Sequence, residues 1–343
     1  MWRDGFPSRD GNRYSCRTLN SSLPSPLLEC VLNLSEGRNE PLLTEIAGAI
    51  AAIPGCKLLH QDTGAGAHRT VFTFAGRPEA VFAAARRVYE LAVERIDMRR
   101  HTGEHPRLGA VDVCPFVPIR GIELAEVAAR SREFGETLAR DLNIPIYCYE
   151  ASASADYRRS LASIRKGEYE GLPQKLGDPR WQPDYGPTDF RPRFGASVLG
   201  ARPFLIAWNI NLDAGASPIL AKTLASRVRA RGGLFTGLRA IGWYIPEFGR
   251  CQVSCNVVDP DRVDLARVYL TVANLAQAAG HRVTGSELIG LIPERYLRGA
   301  AAAFAFEPLS RAEELNLAVD VLGLNDLAPF DWRERVLEEL LEA

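Results

Sequence analysis

Apolar residues recur along this chain with two alternating periods, and the elements they predict follow an ordered sequence. Residues 27–32 (Leu-Leu-Glu-Cys-Val-Leu) read as a buried strand, and residues 33–39 as a polar turn. Helical spacing covers 41–53, where Pro41 suits a first turn. Residues 56–60 are strand-like, 62–68 read as a flexible connection, and 70–74 alternate as the second arm of a hairpin. An amphipathic helix over 78–96 leads to a strand at 111–117, a helix at 124–142 and a strand at 144–149. Two shorter helices are predicted at 157–164 and 169–176. The second half repeats the order: strand 204–211, helix 217–230, strands 240–245 and 252–258, helix 262–279, and a short strand near Arg282. Helices over 293–304, 311–322 and 332–342 close the chain.

Each half therefore reads as strand–helix–strand–strand–helix–strand, the split βαβ order. The expected fold class is α/β (α+β): two ferredoxin-like βαββαβ sandwiches with helices packed on mainly antiparallel sheets. The expected division is a leader over 1–26, an N-terminal subdomain over 27–202 and a C-terminal subdomain over 203–343, with a ligand crevice between the last two. Residues 1–26 are polar and lack an apolar core, so they read as a disordered leader or an over-called start. One stretch breaks the pattern. Residues 178–197 are rich in Pro, Gly, Asp and aromatics, a composition that suits a flat, anionic ligand better than a linker.

Composition narrows the function classes. A chain of 343 residues, 46% hydrophobic with net charge −1, is large enough for two cores and lacks the basic face of a nucleic-acid binder. No segment is long and apolar enough to span a bilayer. Seven scattered cysteines without a CxxC point to a reduced, cytoplasmic protein.

The candidate chemistry centres on residues 101–118, His-Thr-Gly-Glu-His-Pro-Arg-Leu-Gly-Ala-Val-Asp-Val-Cys-Pro-Phe-Val-Pro. They hold two of only five histidines, together with glycines and prolines that stiffen the bend before an apolar strand. A His-x-x-x-His zinc site would need a helix there, which Gly103 and the proline after His105 oppose. An acid/base histidine on a rigid loop fits better. In the turn after the first strand, Ser35, Glu36, Gly37, Arg38 and Asn39 are either turn and cap residues or a nest of N–H groups for a carboxylate. Asp62 and Arg69 bracket a glycine-rich hairpin, so its closure would bring both towards the His105 loop. Arg202 and Asn209 flank the first strand of the second half, where Asn209 needs a buried partner. Residues 285–290 offer an unspecific phosphate-type turn.

These residues also carry a resemblance. Leu-Glu-Cys-Val-Leu-Asn-Leu-Ser-Glu-Gly-Arg, Arg-His-Thr-Gly-Glu-His-Pro-Arg-Leu-Gly-Ala-Val-Asp-Val-Cys-Pro-Phe-Val-Pro and Gly-Ala-Arg-Pro-Phe-Leu-Ile-Ala-Trp-Asn-Ile-Asn-Leu resemble the glutamate formimidoyltransferase family from residue 27 to the C-terminus. Val31-Leu32-Asn33-Leu34 departs from the family's usual Val-Pro-Asn-Phe. The resemblance implies transfer of a formimino group from N-formimidoyl-L-glutamate to tetrahydrofolate, with no metal. It maps the general acid/base histidine to His105 and its companion aspartate to Asp62. It maps the folate-binding loop to Gly186, Pro187, Thr188, Asp189, Phe190, Arg191, Pro192, Arg193, Phe194 and Gly195. Arg38, Arg69 and Arg202 become candidate clamps for substrate carboxylates. A homodimer is implied, as is a separate cyclodeaminase acting on the product. Formyl exchange between 5-formyltetrahydrofolate and glutamate, or folate binding without catalysis, stays open.

Overall fold

The computed structural model describes residues 26–103 and 105–342, so the leader expected over 1–26 lies outside it except for Pro26. The first half runs β1 (Leu27–Leu34), α1 (Glu40–Ala51), β2 (Cys56–Gly64), β3 (Arg69–Gly76), α2 (Pro78–Arg95), β4 (Val111–Arg120) and α3 (Leu124–Leu142). It continues through β5 (Ile146–Cys148), α4 (Leu161–Arg165), α5 (Leu172–Leu176) and β6 (Ser197–Ala201). The second half runs β7 (Ile206–Leu212), α6 (Pro218–Val228), β8 (Leu238–Ile245), β9 (Arg250–Val257), α7 (Leu265–Ala278) and β10 (Val283–Ile289). Three helices follow: α8 (Glu294–Ala301), α9 (Arg311–Leu322) and α10 (Leu337–Glu342).

The first sheet has the order β2-β3-β1-β4-β6-β5 and the second β10-β7-β9-β8. The second is antiparallel throughout, as are the first four strands of the first sheet; β6 pairs in parallel with both β4 and β5. Each half thus carries the expected ferredoxin-like βαββαβ arrangement.

Strand alternation sets the layers. On β1, Leu28, Cys30, Leu32 and Leu34 are fully buried in one core with Ile46 and Ile50 of α1 and Val81 and Val88 of α2. Glu29, Val31 and Asn33 face the other way. In the second half, Trp208, Ile210 and Leu212 of β7 pack in a core with residues of α6, α7 and α9, leaving Ala207, Asn209 and Asn211 on the opposite face. Helix starts follow local chemistry: Asn39 accepts from the Leu42 N–H at 3.2 Å, and Ser310 with Glu313 forms a capping box on α9.

Several boundaries differ from the periodicity. The connection expected over 62–68 is shorter, because β2 continues to Gly64 against Arg69. The last strand of the first half, β6, follows directly on the stretch read as a loop. Its five residues are all buried, so a strand covered on both faces shows no alternation to read. Residues 285–290 are no phosphate-type turn: they are mostly β10, hydrogen-bonded to β7. The helix expected over 332–342 is a 3-10 turn at Trp332–Glu334 followed by α10.

Candidate active site

Three chain segments converge at one end of the first sheet. The turn after β1 is organised from within: one Glu36 carboxylate oxygen accepts from the N–H groups of Gly37, Arg38 and Asn39 at 2.9, 2.8 and 3.0 Å. Burial raises the Glu36 pKa, but those N–H donors and His68 outweigh it and hold the carboxyl below its usual range. The nest expected to receive a ligand carboxylate is therefore filled by the turn's own side chain. Ser35 donates to the Gly109 carbonyl at 2.7 Å, Arg38 to the Ala65 carbonyl at 2.9 Å, and Asn39 caps α1. These residues build the site's frame.

Glycine lets the segments touch. A Cβ on Gly37 would lie 2.5 Å from the Gly64 carbonyl oxygen, and one on Gly103 2.5 Å from that of Ala67. His68, between them, adopts a left-handed φ of 50° and directs Nδ1 to the Thr102 carbonyl (2.8 Å) and Nε2 to Glu36 (3.1 Å). His101 stacks on it with ring centroids 4.2 Å apart, donates from Nε2 to the His68 carbonyl, and accepts at Nδ1 from Arg107. Both of its nitrogens are engaged. Arg107 in turn clamps Glu170 at 2.6 and 2.9 Å. This layer is structural, and it holds the bend on which His105 sits. Among the described residues no group of three or more His, Cys, Asp or Glu is placed to hold a metal.

His105 is half-buried, and its Nε2 accepts from the Arg69 guanidinium at 2.7 Å. The same Arg69 nitrogen donates to Asn33 Oδ1 at 2.9 Å. A neutral ring that accepts at Nε2 carries its proton on Nδ1, which is buried without a partner among the described residues. Burial first, then the positive charges of Arg69 and Arg165, pull the His105 pKa down to about 4. Behind the pair lies Asp112, fully buried, accepting from the Leu108 N–H at 2.9 Å and from Arg165. Burial raises the Asp112 pKa despite Arg165.

Asp62 does not contact His105. The β2–β3–β1 register places Asp62, Val71 and Asn33 in one row, which sets Asp62 two strand spacings, roughly 10 Å, from Asn33. It instead lines a cavity between the two sheets together with His60, Asn33, Arg69 and Arg202. Phe204, Leu205, Ala207, Ile289 and Leu291 close that cavity from the second half. Arg335 ties the halves near its mouth, lying 3.4 Å from His60 Nε2 and donating to the Gly290 carbonyl.

The remaining expected residues lie apart. The buried Asn209 finds its partner in the half-buried Glu287 at 3.1 Å, within a polar chain running through Gln252 and Asn211. The loop from Gly186 to Gly195 packs beside the His105 bend rather than into the cavity. Gly195 bridges Gly109, Phe194 is buried in the core, Arg191 donates to Asn143, and Arg193 to the Glu94 carbonyl. Sequence reading passed over Asp112, Arg165 and Glu29. For Asp112 and Glu29 the signal was present: each is the only carboxylate in its strand, with apolar residues on both sides.

Two ferredoxin-like units with a cavity between them, lined in part by the arginine that holds His105, define the class as a two-subdomain α/β protein. Residues 27–202 match the family described as the formiminotransferase domain, N-terminal subdomain, and residues 207–342 match the formiminotransferase domain. The chain is 43% identical over 325 residues to formimidoyltransferase-cyclodeaminase of Rattus norvegicus, covering 92% of this chain and 60% of that protein. It is 40% identical to glutamate formimidoyltransferase of Streptococcus pyogenes serotype M1, covering 79% of this chain and 90% of the relative, and 36% identical to that of Thermoplasma acidophilum, covering 79% and 89%. The chain spans about 60% of the length of the animal relatives it matches. It belongs to the formiminotransferase family.

Proposed function

We propose that this chain transfers the formimino group from N-formimidoyl-L-glutamate to N5 of tetrahydrofolate, giving 5-formimidoyltetrahydrofolate and L-glutamate. The observation that carries this reading is that Arg69 and Asn33, which line a cavity shared by both halves, connect it by hydrogen bonds to His105. In the reaction, folate N5 bonds to the amidine carbon and loses its proton, the bond from that carbon to the glutamate nitrogen breaks, and that nitrogen gains a proton. A neutral imidazole accepts the first proton and returns the second, a contribution of roughly 10²–10⁴-fold.

With a pKa of about 4, His105 is in its base form at neutral pH but is a weak base. A substrate carboxylate drawing Arg69 away would free Nε2 and remove a positive charge, raising the ring's basicity as the donor binds. Asp62 lines the same cavity as Arg69, a position from which it can meet the substrate beside that guanidinium. The loop from Gly186 to Gly195, bridged to Gly109, is assigned to folate on the family resemblance. A cytoplasmic homodimer, with a separate cyclodeaminase consuming the product, completes the reading.

The test is incubation of the protein with tetrahydrofolate and formimidoylglutamate, then with formylglutamate, following absorbance of the folate product. His105→Ala is expected to retain folate binding and lose at least ~100-fold in turnover. Wild-type turnover in that variant removes His105 from the role.

A further inference from the structure

Glu29 is a carboxyl that this proton-transfer scheme leaves idle. It lies on β1, on the face shared with Val31 and Asn33, is 1% exposed, and forms part of the cavity wall. No described residue hydrogen-bonds to it, and Oε2 is enclosed without a partner. Its nearest influential cation, Arg202, makes no ion pair with it and donates instead to the Pro203 carbonyl at 3.0 Å. Leaving a buried carboxyl uncapped is costly. The same sheet caps the equally buried Asp112 with a backbone N–H and Arg165. The contrast between the two carboxyls points to acceptor oxygens held for donors that arrive from outside.

The surroundings specify those donors. Glu29 and Asn33 are four residues apart on one strand, roughly 13 Å between their Cα atoms. Asn33 connects through Arg69 to His105. Between these ends the floor is Val31 and Val71, and the opposite wall is Phe204, Leu205 and Ile289. The result is a slot with these apolar walls and a polar side at His60, Asp62, Thr73 and Arg202, an unpaired acceptor at one end and Arg69, the partner of His105, at the other. Resting on the functional reading above, we propose that Glu29 accepts the paired N–H donors on the 2-amino-4-oxo pyrimidine edge of the folate ring system, which orients N5 towards His105. A two-ring heterocycle with a hydrogen bond at each end matches that separation. Burial pushes the Glu29 carboxyl up to about 7 against the pull of Arg202, and two incoming N–H donors favour its ionised form.

The experiment compares binding of tetrahydrofolate and its 2-desamino-2-methyl counterpart to the full-length wild type, Glu29→Gln and Glu29→Ala, by calorimetry. Thermal unfolding of each protein confirms folding. The wild type is expected to prefer the amino compound ~10–100-fold, the range for losing charge-assisted hydrogen bonds. Glu29→Gln, which replaces one acceptor with a donor at constant shape, is expected to erase that preference. A Glu29→Gln protein that keeps the preference overturns the assignment while leaving the folate reading intact. A wild type that binds neither compound overturns the folate reading and the assignment with it.

Discussion

Replacing Arg69 with Met isolates the electrostatic control of His105. The substitution keeps an apolar stem of similar reach and removes the charge that lies 2.7 Å from Nε2. His105 is depressed by about 2.5 pH units, from 6.5 to about 4, with burial the largest cause and Arg69 the next. Two unit charges about 4 Å apart interact by roughly 1 kcal/mol in water and roughly 4 kcal/mol at an effective dielectric of 20. At 1.36 kcal/mol per pH unit, that is about 0.7 to 3 units. Burial takes the larger share and Arg165 also contributes, so the variant should titrate above 4 without regaining the ordinary value of 6.5. The sign follows from the direction. The pKa is lowered in the fold, so the ring stays neutral from high pH down to its folded value, and removing a cation moves that value up. An NMR titration of the five histidines, with the His105 resonance identified by its loss in His105→Ala, reads the change directly. The acid limb of kcat/KM in the free enzyme should move in the same sense. A His105 pKa that stays at or below 4 in Arg69→Met would refute the role given to Arg69 and leave burial and Arg165 as the causes.

Two further outcomes follow from the frame of the site. Asp112→Asn leaves Arg165 facing a buried site without its counter-charge, which should cost about 3–5 kcal/mol in urea denaturation, and a loss under 1 kcal/mol would show that the pair is solvated. Gly37→Ala drives a Cβ to 2.5 Å from a backbone oxygen of the neighbouring hairpin; turnover should fall and stability drop by about 1–3 kcal/mol, whereas a neutral result would mean that the two loops separate freely.

Much of the architecture is written in local pattern. The change from period-2 to period-3.6 spacing marks β1, α1, α2 and α3, and twofold repetition of the order yields two sandwiches. The stiff bend carrying His105 is also legible, because Gly103 and Pro106 restrict the backbone by their own covalent structure. Strand β6 is not. With Ser197 to Ala201 buried on both faces, it lacks the one-sided polarity that announces β1.

The candidate site divides along the same line. Residue types alone single out His105 as a candidate for proton transfer, with arginines in the segments around it and a glycine-rich hairpin that brings backbones together. Which arginine meets the imidazole depended on the tertiary structure, and so did the fate of Asp62 and Glu36. Cross-strand register puts Asp62 two strands away from Asn33, the side chain of Arg69 reaches the imidazole instead, and the turn after β1 spends its N–H groups on Glu36. Register and loop closure are set by burial of the opposite faces of the strands, over separations of dozens of residues. Spacing along the chain therefore names the participants, and packing between distant segments assigns their partners.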